Sequence, residues 1–272
     1  MLQLLVFSSF YNKKDLFKNT CFLIIYHHGV LLFIQQLCHI ITIFDIINVD
    51  LLLIIIGSLL NSTYIGSVLF VFLLTLNRFD VFYNIKYFFK GDQRILYLFG
   101  IVLFYSWIVA LFVFYLIPRF RMTYYTQIYQ WQYIHPLRCQ LGIELENKTI
   151  YFCLGMSFIM QILLIVKIFT LRCQASKKKI LVARNLKIFI YAFLSFATTA
   201  FLEVICSEVL VESYQYEKRT ILCQISFILS SVSNSIFIFC FVKDIRSNMS
   251  IFKFCKKSNK IGSIDFNNRT II

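Results

Sequence analysis

The sequence predicts an all-α protein: a polytopic transmembrane helical bundle with six full spans and one partial helix ahead of them. Three observations carry this. Of its 272 residues 59% are apolar and only 15% charged, where a soluble domain has about 25% charged. No single core buries that much apolar surface and still leaves a wet exterior, so a soluble globule is excluded. The apolar residues are gathered into blocks close to the ~20 residues that a helix needs to cross the hydrocarbon layer. Long apolar runs without strict alternation favour helices over the short strands of an outer-membrane barrel.

In chain order, residues 1–10 are apolar but too few to span. They lack the basic start and small-residue cleavage site of a signal peptide, so they read as one end of a helix whose beginning is absent. The full spans are expected at about 21–44, 51–76, 95–117, 150–171, 188–210 and 221–242. A polar tail follows at 243–272, and residues 1–272 form a single transmembrane domain. Both prolines, Pro118 and Pro136, fall in the long segment after the third span, so none of the spans is broken. The 27 Lys and Arg against 13 Asp and Glu lie between the blocks, which assigns them to topology and membrane lipid rather than to nucleic acid. Twenty of them fall in 1–19, 77–94, 172–187 and 243–272, and six in the alternate segments. By the positive-inside bias both ends of the chain are placed in the cytosol and the 118–149 loop outside. Of the Asn-X-Ser/Thr acceptors, Asn147 alone lies in an outer loop and is the glycosylation candidate.

Nine cysteines without a CxxC pair or a His/Cys cluster point to neither a zinc site nor a disulfide scaffold. No metal or cofactor is expected. Intramembrane polar residues are costly and count as site candidates. Glu203 is the one acid placed well inside an expected span, as a ligand-pocket carboxylate or a packing acid kept neutral by burial. Gln35, His39 and Thr42, spaced i, i+4, i+7, share a helix face, and interhelical hydrogen bonding is the favoured reading of that stripe. Ser62, Tyr151 and Gln224 are candidates of the same kind. Adjacent His27 and His28 point about 100° apart and cannot chelate one metal together. Cys255, in a basic tail, is a palmitoylation candidate, although positive-inside charge and anionic-lipid attraction are the preferred reading of that cluster.

The second full span ends in Leu74-Thr75-Leu76-Asn77-Arg78-Phe79. Arg78 reads either as a positive-inside cation closing a helix or as a switch that changes hydrogen-bond partners when helices move. The stretch 61–79, with Gly66 and this ending, resembles the third helix of nematode serpentine chemoreceptors, which are seven-helix receptors of the G-protein-coupled type. Residues 20–47, with His28-Gly29 and Cys38-His39-Ile40-Ile41, resemble their second helix, and Lys13, Lys14 and Lys18 a basic first inner loop. The resemblance makes residues 1–10 the inner end of helix one. A shortened gene model, a decayed gene and a real short form each fit that start.

The resemblance implies a chemosensory receptor in the plasma membrane of a sensory cell. Its partners would be a heterotrimeric G protein and a small-molecule or peptide ligand bound between the outer helix halves. The coupling surface would comprise Asn77, Arg78, Phe79, Asn234 and the loop residues Lys177, Lys178 and Lys179. There are departures. Asn234 is kept, but Ser235 and Ile238 stand where rhodopsin-like receptors have Pro and Tyr, and no Pro kinks 188–210. Cys139 suits one half of the usual outer disulfide, yet no Cys lies near Asp50, which leaves Cys139 reduced or paired with Cys153. Two other classes have less support in the residues. A channel or transporter, including the inverted seven-helix type, lacks a filter-like loop, and the charge bias opposes the inverted form. A membrane enzyme lacks paired intramembrane carboxylates or a metal motif.

Overall fold

A computed structural model describes residues 2–12, 14–43, 50–83, 93–125, 130–134, 139–174, 179–206 and 216–242. They form a helical membrane bundle of seven helices: α1 (Leu2–Asn12), α2 (Thr20–Ile43), α3 (Asp50–Tyr83), α4 (Gln93–Leu116), α5 (Gln140–Gln174), α6 (Lys179–Cys206) and α7 (Tyr216–Phe241). By length and composition α2, α3, α4, α5 and α6 are each able to cross a membrane, and the apolar stretch of α7, Ile225–Phe241, is shorter.

Local chemistry explains the starts and the continuity. The Asn19 side chain caps α2, its Oδ1 accepting from the Cys21 amide at 3.0 Å. Along α3 the hydroxyls of Ser58, Thr63, Ser67 and Thr75 donate to carbonyls three or four residues back. Each is thereby satisfied within its own helix, where no water is on hand. At 34 residues α3 is ~50 Å long, well beyond the ~30 Å hydrocarbon layer. It is the central helix, packing against α2, α4, α5 and α6. On α4 the buried residues Tyr97, Ile101, Ile108, Leu111 and Tyr115 form one helical stripe. Phe99, Val102, Leu103, Val109 and Val113 are exposed, which is the face for lipid. Helix α1 packs on α2 and α7, burying Val6 and Phe10 in the main core.

Two features depart from the expected spans. The segment after α4 is not an irregular loop: Pro118–Phe120 makes a 3-10 turn, and β1 (Met122–Tyr125) pairs antiparallel with β2 (Gln130–Tyr133), Tyr124 opposite Trp131. Alternating aromatic and polar residues suit a ribbon with one face on the bundle. Helix α5 begins at Gln140 rather than near 150, because its buried stripe, Ile150, Cys153 or Leu154, Ser157, Gln161 and Leu164, runs back one more turn to Glu146.

A two-stranded ribbon is marginal alone, and Gly57 is what seats it. A Cβ on Gly57 would stand 2.6 Å from Trp131 Cζ3 and 2.9 Å from Cε3, and the rigid indole cannot bend out of the way. Gly57→Ala is therefore expected to shift the ribbon at a cost of about 1–3 kcal/mol. In a Trp107→Phe background, Trp131 fluorescence should move to the red and become more open to acrylamide. Unchanged emission would refute the seating.

Candidate functional site

The site forms at the ribbon end of the bundle, around one turn of α3. Asn61 and Tyr64 are three residues apart and so lie on one face. To that face come two carboxylates from different helices. Asn61 Nδ2 donates to Glu146 Oε1 of α5 at 2.6 Å, and the Tyr64 hydroxyl donates to Glu203 Oε2 of α6 at 2.7 Å. Glu146 Oε1 also accepts from Tyr115 of α4 at 2.5 Å and from Tyr133 of β2. Three elements thus converge on a single carboxylate oxygen. Burial, reinforced by the Glu146 charge, pushes the Tyr133 phenol far above its ordinary range, so it remains a donor and tethers the ribbon to α5.

Helices α2 and α7 complete the wall. The Phe227 ring of α7 lies edge-on to Tyr64 at 5.1 Å and 6.0 Å from the His39 ring of α2. His39 is 4% exposed, and its Nε2 has no hydrogen-bond partner. The structure sorts the polar stripe on α2. Gln35 Nε2 donates to the Thr63 carbonyl at 2.9 Å, an α2–α3 link, and Thr42 donates back to Cys38 at 2.6 Å. Of the three, His39 alone has a fully buried polar atom without a partner among the described residues. Ser62 is buried but bonded to its own helix, at Leu59 O. Tyr151 is 53% exposed, although within electrostatic reach of Tyr64. Gln224 lies on α7. Asn147 is exposed on α5 beside the Lys148–Glu144 pair. Cys139 is buried and donates to the Arg119 carbonyl at 2.8 Å.

At the other end of α3, Arg78 is 3% exposed. Its Nη2 donates to Asn77 Oδ1, and its Nε has no partner. The neighbouring Asp80 accepts from Tyr97 of α4 rather than pairing with the arginine. Phe79 stacks on Tyr83 at 4.4 Å, above which sits the Lys167 ammonium, 5.4 Å from the ring centre. A second polar centre joins α6, α7 and α1. Ser195 donates to Asn234 Oδ1 at 2.5 Å, and Ser235 donates to Gln3 Oε1. Lys179 is the first residue of α6, while Lys177, Lys178 and Cys255 lie outside the described residues.

Glu146, Asn61, Tyr64, Tyr115 and Tyr133 were not among the residues expected. Asn61 belongs to an Asn-Ser-Thr sequon that falls inside an expected span, a pattern that points to no pocket. Glu146 sits four residues before the expected start of its span, and extending the buried period of α5 backwards is the signal that reaches it. Glu203, the acid expected well inside a span, is thus joined at this site by Glu146, and both are half-buried. Elsewhere an apolar groove of about 660 Å³ opens between α3, α4 and α5, with Phe72, Phe104, Trp107 and Phe152 in its walls. It contains none of the candidate residues. No protein-family model matches this chain, and no curated protein matches it in sequence.

Proposed function

We propose that the protein is a chemosensory-type receptor of the G-protein-coupled class. It binds a small molecule or peptide at the ribbon end and signals through the Arg78 end to a heterotrimeric G protein. The observation that carries the reading is the shared helix. Asn61 and Tyr64, which gather the two acids, and Arg78, which is buried without a carboxylate partner among the described residues, all stand on α3. Asn61 and Arg78 are 17 residues apart, or ~25 Å along the axis.

A ligand that binds the two packings of α3 against α5 and α6 unequally shifts the population between them. Arg78, whose Nε is unpartnered, is the group whose hydrogen bonds such a shift rearranges. In this reading the Arg78 end is cytosolic, as the charge bias requires, and the protein resides in the plasma membrane of a sensory cell. The basic residues Lys177, Lys178 and Lys179, which the charge bias assigns to the cytosolic side, would meet the G protein.

The test is to express the chain with a C-terminal tag and measure recruitment of a panel of Gα subunits, alongside tag accessibility in intact cells. A cytosolic tag and recruitment that falls about tenfold in Arg78→Ala are expected, within the usual span of allosteric coupling. An extracellular tag, or equal recruitment by Arg78→Ala, would overturn the proposal. The first of these results would favour the inverted seven-helix channel.

A further inference from the structure

We infer that the ligand of the ribbon-end site is a small organic cation, a primary or secondary ammonium seated between Glu146 and Glu203; the inference rests on the receptor reading above. Each acid has one oxygen committed and one left over. Glu146 gives Oε1 to Asn61, Tyr115 and Tyr133, and Glu203 gives Oε2 to Tyr64. Among the described residues no hydrogen bond reaches Glu146 Oε2 or Glu203 Oε1. The two acids are near enough for the charge of one to be felt at the other. The ion pairs between described residues are Lys18–Asp15 and Lys148–Glu144, so among the described residues neither of these acids has a basic side chain paired with it.

Two like charges in a low-dielectric wall are unstable without a counter-charge. The third uncommitted acceptor supplies the independent evidence. His39 Nε2 is buried without a partner, on the same Phe227 ring that abuts Tyr64. A neutral imidazole nitrogen accepts from an N–H, and an alkylammonium has two or three N–H donors to share among such acceptors. The Tyr64 and Phe227 rings offer the cation–π faces that ammonium ligands favour. A metal ion fits less well. Among the described residues no three His, Cys, Asp or Glu side chains come together to hold one. Trp131, whose Nε1 is also buried and unpartnered, sets its ring carbons Cζ3 and Cε3 against Gly57, one turn of α3 from Asn61. It provides a donor for a hydroxyl or carbonyl at the far end of the same ligand.

The test uses the full chain in lipid nanodiscs, with 2-phenylethylammonium as probe and uncharged 2-phenylethanol as its control, and thermal unfolding as readout. The ammonium should raise the unfolding temperature in a saturable way and the alcohol should not. Glu203→Gln, which keeps an acceptor for Tyr64, should weaken ammonium binding by about tenfold or more. If that variant does not fold, Glu146→Gln gives the same comparison. Equal stabilisation by the alcohol, no shift with the ammonium, or undiminished binding in both variants would overturn the inference. Gα recruitment and its loss in Arg78→Ala are read without any ligand, so a wrong ligand class and a wrong receptor reading give different failures.

Discussion

Glu146→Leu is expected to destabilise the bundle by about 3–6 kcal/mol, because it strands three hydrogen-bond donors at once at about 1–3 kcal/mol each. Tyr115, on α4, is fully buried and cannot turn to water, so its share is undiminished. Asn61 and Tyr133 are only partly buried and recover some hydration, which keeps the total below the sum of three full penalties. The isosteric Glu146→Gln retains one acceptor oxygen and should lose far less. The ribbon should respond with the stability, since Tyr133, like Trp131, holds β2 to the helices. Thermal unfolding in detergent and protease cleavage between β1 and β2 measure the two effects. A Glu146→Leu protein as stable as the parent would mean that the triple hydrogen bond contributes nothing.

The helices were legible because membrane crossing imposes a length and a composition that few other constraints imitate. The ribbon was not. Met122–Tyr125 and Gln130–Tyr133 are four residues each, too short for alternation to stand out, and they are held by contacts with α3 and α5 that no local pattern records. The same division runs through the site. Glu203 and His39 were visible as polar groups in apolar runs, but the turn of α3 that unites them was not, since Asn61 and Tyr64 are unremarkable residues until α5 and α6 bring acids to them. Glu146 shows where reasoning by hydropathy stops. A span drawn by apolar content ends at the first charge, whereas a helix continues for as long as its buried face finds partners. Gln35 and Thr42 illustrate the converse, being conspicuous in sequence yet engaged in joining or closing helices.

The close approach of α3 to its neighbours sets the second large effect. A Cβ on Gly66 would stand 2.5 Å from Ile108 Cδ1 and 2.7 Å from Cγ1 on α4, and 3.2 Å from Leu31 Cδ1 on α2. Glycine here lets three helices meet at backbone distance, the device by which helices associate tightly in lipid. Gly66→Ala gains up to about 1 kcal/mol of helix propensity, but overpacking of about 1–3 kcal/mol exceeds it. Both clashing atoms belong to Ile108, a buried side chain with little freedom to swing away. Gly66→Leu fills the space twice over and should prevent assembly of α2, α3 and α4, read as loss of the folded peak in size-exclusion chromatography. The decisive comparison is Gly66→Ala with Ile108→Ala. The second change removes both offending atoms, so the double variant should be more stable than the sum of the two single losses by at least about 1 kcal/mol. Strict additivity would show that α3 and α4 do not meet at Gly66, and the placement of α3 between the two ends of the molecule would fall with it.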